Sequence, residues 1–212
     1  MNVAVLASGS GTNLQALIDS AGRGEIGPAR LAVVGVNVPD CRALARAQAA
    51  NLKTFVVDHR QYPVREEFDR ALTAALDPHE IHLVVLAGFM RLLGPAFLDR
   101  YGGRVINIHP ALLPAFPGVH AQRQAAGYGV KLSGCTVHFV EAGVDSGPVI
   151  AQAAVPVRDD DDEAALAARI LVEEHRLLPS VVRALAEGRV TADGRRVRVT
   201  GSWPSGESLR SM

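Results

Sequence analysis

Short apolar runs alternate with amphipathic stretches through the first half of the chain. Asn2 to Ala7, Leu31 to Asn37, Thr54 to Val57, Leu83 to Ala87 and Arg104 to His109 are compact runs dominated by Val, Leu, Ile and Ala. Apolar residues at successive positions over so few residues predict strands buried on both faces. Between them, Leu14 to Ala21, Cys41 to Ala50 and Arg65 to Leu76 carry helical signal. In the last of these, Phe68, Leu72 and Leu76 recur every four residues and fall on one helix face. Fully apolar strands alternating with helices predict an α/β fold, a Rossmann-like and mostly parallel sheet with helices on both faces.

The second half changes character. A Pro-rich loop runs from Pro110 to Pro117, and helical signal resumes around His120 to Ala126. Ser133 to Val140 and Pro148 to Pro156 are separated by a Gly-containing loop, which predicts an antiparallel extension of the sheet. The acidic run from Asp159 precedes a long helix over Glu163 to Glu187, and carboxylates favour the positive end of a helix. Arg189 to Thr200 reads as a polar hairpin around Asp193-Gly194. There is no internal repeat. The predicted organisation is a single catalytic domain over residues 1–200, with a mononucleotide-binding half over 1–109 and a second half over 110–200, followed by a flexible tail over 201–212.

Composition narrows the function classes. A length of 212 residues suits one domain, and 48% apolar with 21% charged residues excludes wholesale disorder. Lys+Arg and Asp+Glu both total 22, so the basic excess of a general nucleic-acid binder is missing. Cys41 and Cys135 stand far apart in no metal-like spacing and read as free thiols in a reducing compartment. The N-terminal segment lacks the basic flank of a signal peptide, and no apolar run is long enough to cross a bilayer. These features predict a cytoplasmic enzyme or binding domain that engages neither nucleic acid nor membrane, as a monomer or homodimer.

Three segments carry candidate chemistry. Ser8-Gly9-Ser10-Gly11-Thr12-Asn13 follows the first strand and opens the first helix, where glycines and exposed amides form an anion site. It is not the dinucleotide fingerprint, because Leu14 stands where the third Gly belongs and Val36-Asn37-Val38 offers no acid. It is not a Walker loop, because Gly-Lys-Ser/Thr is absent. A phosphate monoester site remains, against a plain strand–helix turn. In Asn107-Ile108-His109, residues two apart on a strand share a face, so an amide and an imidazole meet at a carboxyl strand end. An amide donor can meet a developing oxyanion and an imidazole can move protons near neutral pH. A lone His before Pro110 would read as structural, and its pairing with Asn107 favours catalysis. The third segment is the shaped loop Glu141 to Pro148. Its Asp145 can orient His109, favour the imidazolium and raise the His109 pKa; on residue types alone, an Asx-turn residue beside Gly147 stands slightly ahead of that role.

Other polar clusters are weaker. The histidines of His79-Glu80-Ile81-His82 are three apart rather than four, which excludes the zinc-protease motif. Asp159 to Asp162 lacks the Gly and terminal Glu of a calcium loop. His59, His120 and His138 match no ligand spacing, so no catalytic metal is expected.

Taken together, Ser8 to Ala16, Val85 to Arg91, Asn107 to Pro114, Val137 to Val140 and Asp145 to Ile150 resemble the phosphoribosylglycinamide formyltransferases, over Met1 to about Gly188. The resemblance implies the formyltransferase fold and transfer of a formyl group from 10-formyltetrahydrofolate to the amine of glycinamide ribonucleotide in de novo purine synthesis, with reduced folate as cosubstrate. It implies catalytic roles for Asn107, His109 and Asp145, phosphate contacts from Gly11, Thr12 and Asn13, and a ribose contact from Glu174. It implies folate contacts from Arg65, Met90, Arg91, Leu92 and Leu93, with Asn107 shared between ligands and residues 110–200 forming the folate-binding half. Asn107 and protonated His109 would stabilise the tetrahedral oxygen. His109, or a water held by Asp145, would carry protons. Two departures stand out: Ala115 replaces a usual basic residue, and Val38 replaces a usual Lys. A formyltetrahydrofolate hydrolase shares the same catalytic set, but it has no use for a phosphate loop and generally carries an extra N-terminal domain. A formyltransferase acting on initiator tRNA would generally need a further C-terminal domain. A non-catalytic nucleotide-binding module would leave Asn107, His109 and Asp145 unused.

Overall fold

The computed structural model describes residues 1–201. The tail expected over 201–212 therefore lies, apart from Gly201, outside the described residues. The first half builds β1 (Asn2–Ala7), α1 (Thr12–Gly22), β2 (Arg30–Val36), α2 (Arg42–Ala49), β3 (Thr54–Val56), α3 (Arg65–Leu76), β4 (Leu83–Leu86), α4 (Pro95–Tyr101) and β5 (Val105–His109). The second half adds α5 (Ala121–Tyr128), β6 (Leu132–Phe139), β7 (Val149–Pro156), α6 (Glu163–Ala186), β8 (Val190–Asp193) and β9 (Arg196–Val199).

One seven-stranded sheet runs in the order β3-β2-β1-β4-β5-β6-β7. Strands β1 to β5 pair in parallel, and β6 and β7 continue the sheet antiparallel. The sheet thus has the predicted character, and both halves of the chain share it. Strand β1 is central, and Val3 to Ala7 are fully buried. Each such Val or Leu contributes about 1.5–3 kcal/mol by leaving water.

The two sheet faces carry separate cores. One gathers Val3, Val5, Leu14, Leu17, Ile106, Ile108, Val137 and the apolar stripe of α6. The other gathers Leu6, Phe68, Leu72, Leu76, Phe97 and Tyr101 against β4. Helix α6 opens as its acidic run predicts: the Asp162 carboxylate accepts the Ala165 N–H at 2.7 Å. The hairpin β8–β9 closes at Asp193-Gly194 as expected, with Asp193 opposite Arg196.

Helix α4 is the element that the apolar pattern does not predict. It is only seven residues long, starts with Pro95 after Gly94, and is held by the Phe97–Tyr101 ring pair at 5.0 Å. A helix this short has too few turns for periodicity to register. Tertiary packing of two aromatic rings supplies what propensity does not.

The strand order reverses at β1. Connections run to β2 and β3 on one side and to β4 and β5 on the other, which leaves a crevice outside the carboxyl ends of β1 and β4. The Ser8 to Gly11 loop and the segment after β4 meet there.

Candidate active site

Gly11 begins α1 in the left-handed region at φ 68°, and no side chain caps the helix. A Cβ on Gly11 would lie 2.7 Å from Ala43 Cα, so this position requires glycine on both counts. An uncapped helix N-terminus leaves its first amides free to bind an anion. Surrounding contacts fix the loop. The Ser8 hydroxyl donates to Asn37 Oδ1 at 2.6 Å and accepts the Met90 N–H at 2.8 Å. Arg46 Nε donates to the Ser10 carbonyl at 2.9 Å. A cleft of 280 Å³ opens over this loop, lined by Ser8 to Asn13 with Ala87, Gly88 and Met90.

Asn13 Nδ2 donates to Glu174 Oε2 at 2.7 Å, which joins the loop to α6 across 161 residues of sequence. Both side chains are buried, and Asn13 Oδ1 has no protein partner. Burial pushes the Glu174 carboxyl above its ordinary pKa, against the Asn13 amide, which favours the ionised form.

On β5, Asn107 and His109 lie on the sheet face opposite Ile106 and Ile108, as the period-two pattern requires. The Glu141 to Pro148 loop brings Asp145 to both. Asp145 Oδ2 stands 3.2 Å from His109 Nδ1, and Oδ1 stands 3.4 Å from Asn107 Nδ2. Asp145 holds a left-handed φ of 46°, a conformation that Asp tolerates better than most residues.

The second half adds groups that residue types did not reveal. His138 is directly opposite Asn107 in the β5–β6 register and is 1% exposed. Its Nδ1–H donates to the Phe139 carbonyl at 2.8 Å, and Nε2 stands 3.2 Å from Asn107 Nδ2 and 3.5 Å from Asp145 Oδ1. The resemblance over Val137 to Val140 takes in this residue without assigning it a role. Two backbone groups of the Pro-rich loop complete the set. The Phe116 carbonyl accepts from His109 Nε2 at 2.9 Å, and the Gly118 N–H donates to Asp145 Oδ2 at 2.8 Å.

The electrostatics correct one expectation. Burial lowers the His109 pKa below its ordinary 6.5, and it outweighs the Phe116 carbonyl and the Asp145 carboxylate, which both favour the imidazolium. The attraction of Asp145 has the expected sign, but the ring is only 4% exposed and desolvation prevails, so the net shift is down rather than up. Both ring nitrogens face groups that only accept, so a neutral ring leaves one contact unmade and a second proton completes both. Burial alone would raise Asp145. The His138 contact, the Gly118 N–H and the neighbouring His109 outweigh it and hold this carboxyl below its ordinary value.

A second cleft of 90 Å³ lies beside this cluster. Leu86, Phe89, Leu93 and Val140 form its apolar walls, and Asn107, His138 and Asp145 form its polar end. Arg91 and Leu92 also line it, whereas Met90 faces the cleft over the Ser8 to Asn13 loop and is 66% exposed. Arg65 lines neither of these two clefts: its Nη2 donates to the Leu93 carbonyl at 3.0 Å and braces the wall from behind. The segment Gly88 to Arg91 borders both clefts, so an uncapped helix N-terminus and an apolar slot flank one polar cluster.

Known proteins resemble this chain in sequence and in fold. Residues 1–182 match the family model described as formyl transferase. The chain is similar to the phosphoribosylglycinamide formyltransferase of Mycobacterium tuberculosis, at 52% identity over 193 residues, covering 90% of this chain and 87% of that protein. It is 42% identical to the Escherichia coli phosphoribosylglycinamide formyltransferase over 209 residues, covering 99% and 96% of the two chains. Among solved structures, glycinamide ribonucleotide transformylase 1 from Symbiobacterium toebii matches with a TM-score of 0.92 at 51% identity, covering 95% of this chain and 94% of that one. The chain belongs to the formyl transferase family and, within it, to the phosphoribosylglycinamide formyltransferases.

Proposed function

We propose that the protein transfers the formyl group of 10-formyltetrahydrofolate to the amine of 5'-phosphoribosylglycinamide, giving formylglycinamide ribonucleotide and tetrahydrofolate in de novo purine synthesis. The observation that carries this reading is the Asn107, His109 and Asp145 cluster, set between an uncapped helix N-terminus and an apolar slot. Gly11, Thr12 and Asn13 take the phosphate on the amides of α1. The Glu174 carboxylate takes ribose hydroxyls. The slot takes the folate ring, with Arg91, Leu92 and Leu93 as its near wall. At 90 Å³ it is narrower than the roughly 300–1,000 Å³ usual for such sites, so the ring displaces the exposed Glu141 to Val144 edge on entry. One seven-stranded sheet runs from Asn2 to Pro156, α6 packs on β6 and β7, and the β8–β9 hairpin packs on β7, which supports residues 1–200 acting as a single catalytic unit.

The substrate amine attacks the formyl carbon, a C–N bond forms, and the carbonyl oxygen becomes negative. Asn107 is the donor for that oxygen. Its present contacts at 3.2 and 3.4 Å are long, so a full negative charge outcompetes them. The attacking nitrogen must lose a proton. Asp145, held as a carboxylate at the polar end of the slot, passes that proton to neutral His109. The imidazolium that results makes both of its contacts. The same proton then returns to the departing folate nitrogen as its bond to the formyl carbon breaks.

Incubation with 10-formyltetrahydrofolate, with and without glycinamide ribonucleotide, tests the assignment by tetrahydrofolate formation. Product is expected only with the acceptor present. Product without acceptor would make the protein a hydrolase, and no product in either arm would leave a binding module. Asn107→Ala, His109→Ala and Asp145→Ala should each fold and lose on the order of 10²–10³ in turnover.

A further inference from the structure

His109 on β5, Thr136 on β6 and Gln152 on β7 stand opposite one another in a single row across the sheet. Directly opposed residues share a face, so all three side chains lie on the face that the Pro110 to Gly118 loop crosses. Thr136 is fully buried; its hydroxyl donates to the Ala111 carbonyl at 2.6 Å and accepts the Leu113 N–H at 3.0 Å. The Gln152 amide donates to the Leu113 carbonyl at 2.9 Å and to Thr136 Oγ1 at 3.0 Å. A carbonyl oxygen only accepts, which fixes the orientation of that amide. The near limb of the loop thus hangs on Thr136 and Gln152, and neither lines the slot.

The far limb of the same loop touches the acid–base pair. It supplies the Phe116 carbonyl to His109 and the Gly118 N–H to Asp145. Phe116 does so at a φ of 53°. That region is strained for a bulky residue and persists only where surrounding contacts impose it. The Ala115 N–H, bonded to the Leu112 carbonyl at 3.0 Å, carries the constraint from the near limb towards Phe116.

We propose that Gln152 is a positioning residue for formyl transfer: by holding Leu113 and Thr136, it sets the loop so that Phe116 and Gly118 clamp His109 and Asp145. The inference rests on the reading of His109 and Asp145 as the reacting pair. Gln152→Met keeps the length of the side chain and removes both donors. Turnover should fall on the order of 10- to 100-fold, as small displacements of reacting groups do, while KM for both substrates stays near that of the parent enzyme. The His109 ring, followed by NMR, should titrate at lower pH, because the Phe116 carbonyl that favours its imidazolium is no longer held in place. Gln152→Glu sets a carboxylate oxygen against the Leu113 carbonyl and gives the same readouts should Gln152→Met not fold. A purely structural role would lower the melting temperature and leave kcat and the His109 midpoint unchanged, which overturns the proposal. His109→Ala is measured alongside. Normal turnover there sinks the catalytic reading itself, and a displaced His109 midpoint in Gln152→Met then still supports the clamp.

Discussion

His109 and Glu174 show how burial and hydrogen bonding compete at single residues. For His109, desolvation prevails over two favourable acceptors, so its pKa falls below the ordinary value and the neutral ring is favoured. Removing the Asp145 charge takes away one acceptor. In Asp145→Asn the His109 midpoint, already below 6.5, should therefore move lower still by NMR titration, and an unchanged or higher midpoint would contradict the pairing. Glu174 is displaced in the opposite direction. Its native carboxyl holds a proton that the unfolded chain has released between the ordinary and the raised pKa, so stability falls as pH climbs through that window. Glutamine avoids that cost, and its amide oxygen can still accept from Asn13. Glu174→Gln should melt higher than the parent at pH 7.5 while KM for the ribonucleotide rises, and a lower melting temperature there would count against a buried charge. Sequence alone gave partial access to these residues. Asn107 and His109 are legible as a strand-end pair, because side-chain alternation is local. His138 is not, because it reaches Asn107 only through the register of β5 on β6. Phe116 and Gly118 act through backbone atoms, which carry no side-chain signature.

Among elements, the strands were the most legible. Continuous apolar runs located β1, β2, β3, β4 and β5 to within a residue or so at each end; β1, β2 and β4 are buried on both faces for most of their length, whereas β3 at the sheet edge exposes Val56 and β5 carries Asn107 and His109. The antiparallel turn of β6 and β7 was legible from a Gly-containing connection too short for a crossover helix. The entry to helix α1 depends on Gly11, the residue just before it. Gly11 supplies the left-handed entry, and its lack of a Cβ lets α1 and α2 approach. Gly11→Ala must strain the backbone and displace Ala43, at a cost of about 1–3 kcal/mol. Because the amides at the start of α1 then shift, KM for the ribonucleotide should rise on the order of tenfold or more while KM for the folate changes little. Equal effects on both substrates would show that the loop does not hold the phosphate.

At the scale of the molecule, the candidate site draws its parts from both ends of the chain. The loop after β1 supplies the uncapped start of α1, while α6 supplies Glu174 and the β6–β7 connection supplies Asp145. None of these groups converges in the unfolded chain, so a ligand that needs them together binds only the native state. Such binding adds RT ln(1 + [L]/Kd), about 2.7 kcal/mol at a hundredfold excess over Kd. In a domain of this length each kcal/mol moves the melting temperature by about 2–4 °C, so glycinamide ribonucleotide should raise it by roughly 5–10 °C. Inorganic phosphate reaches only the loop and should give a smaller shift at the same concentration. Gly11→Ala separates the two clefts: it should abolish most of the ribonucleotide shift and leave the shift with reduced folate intact. If the variant keeps the full ribonucleotide shift, the substrate is held somewhere other than over the first helix, and the crevice between β1 and β4 loses its assigned role.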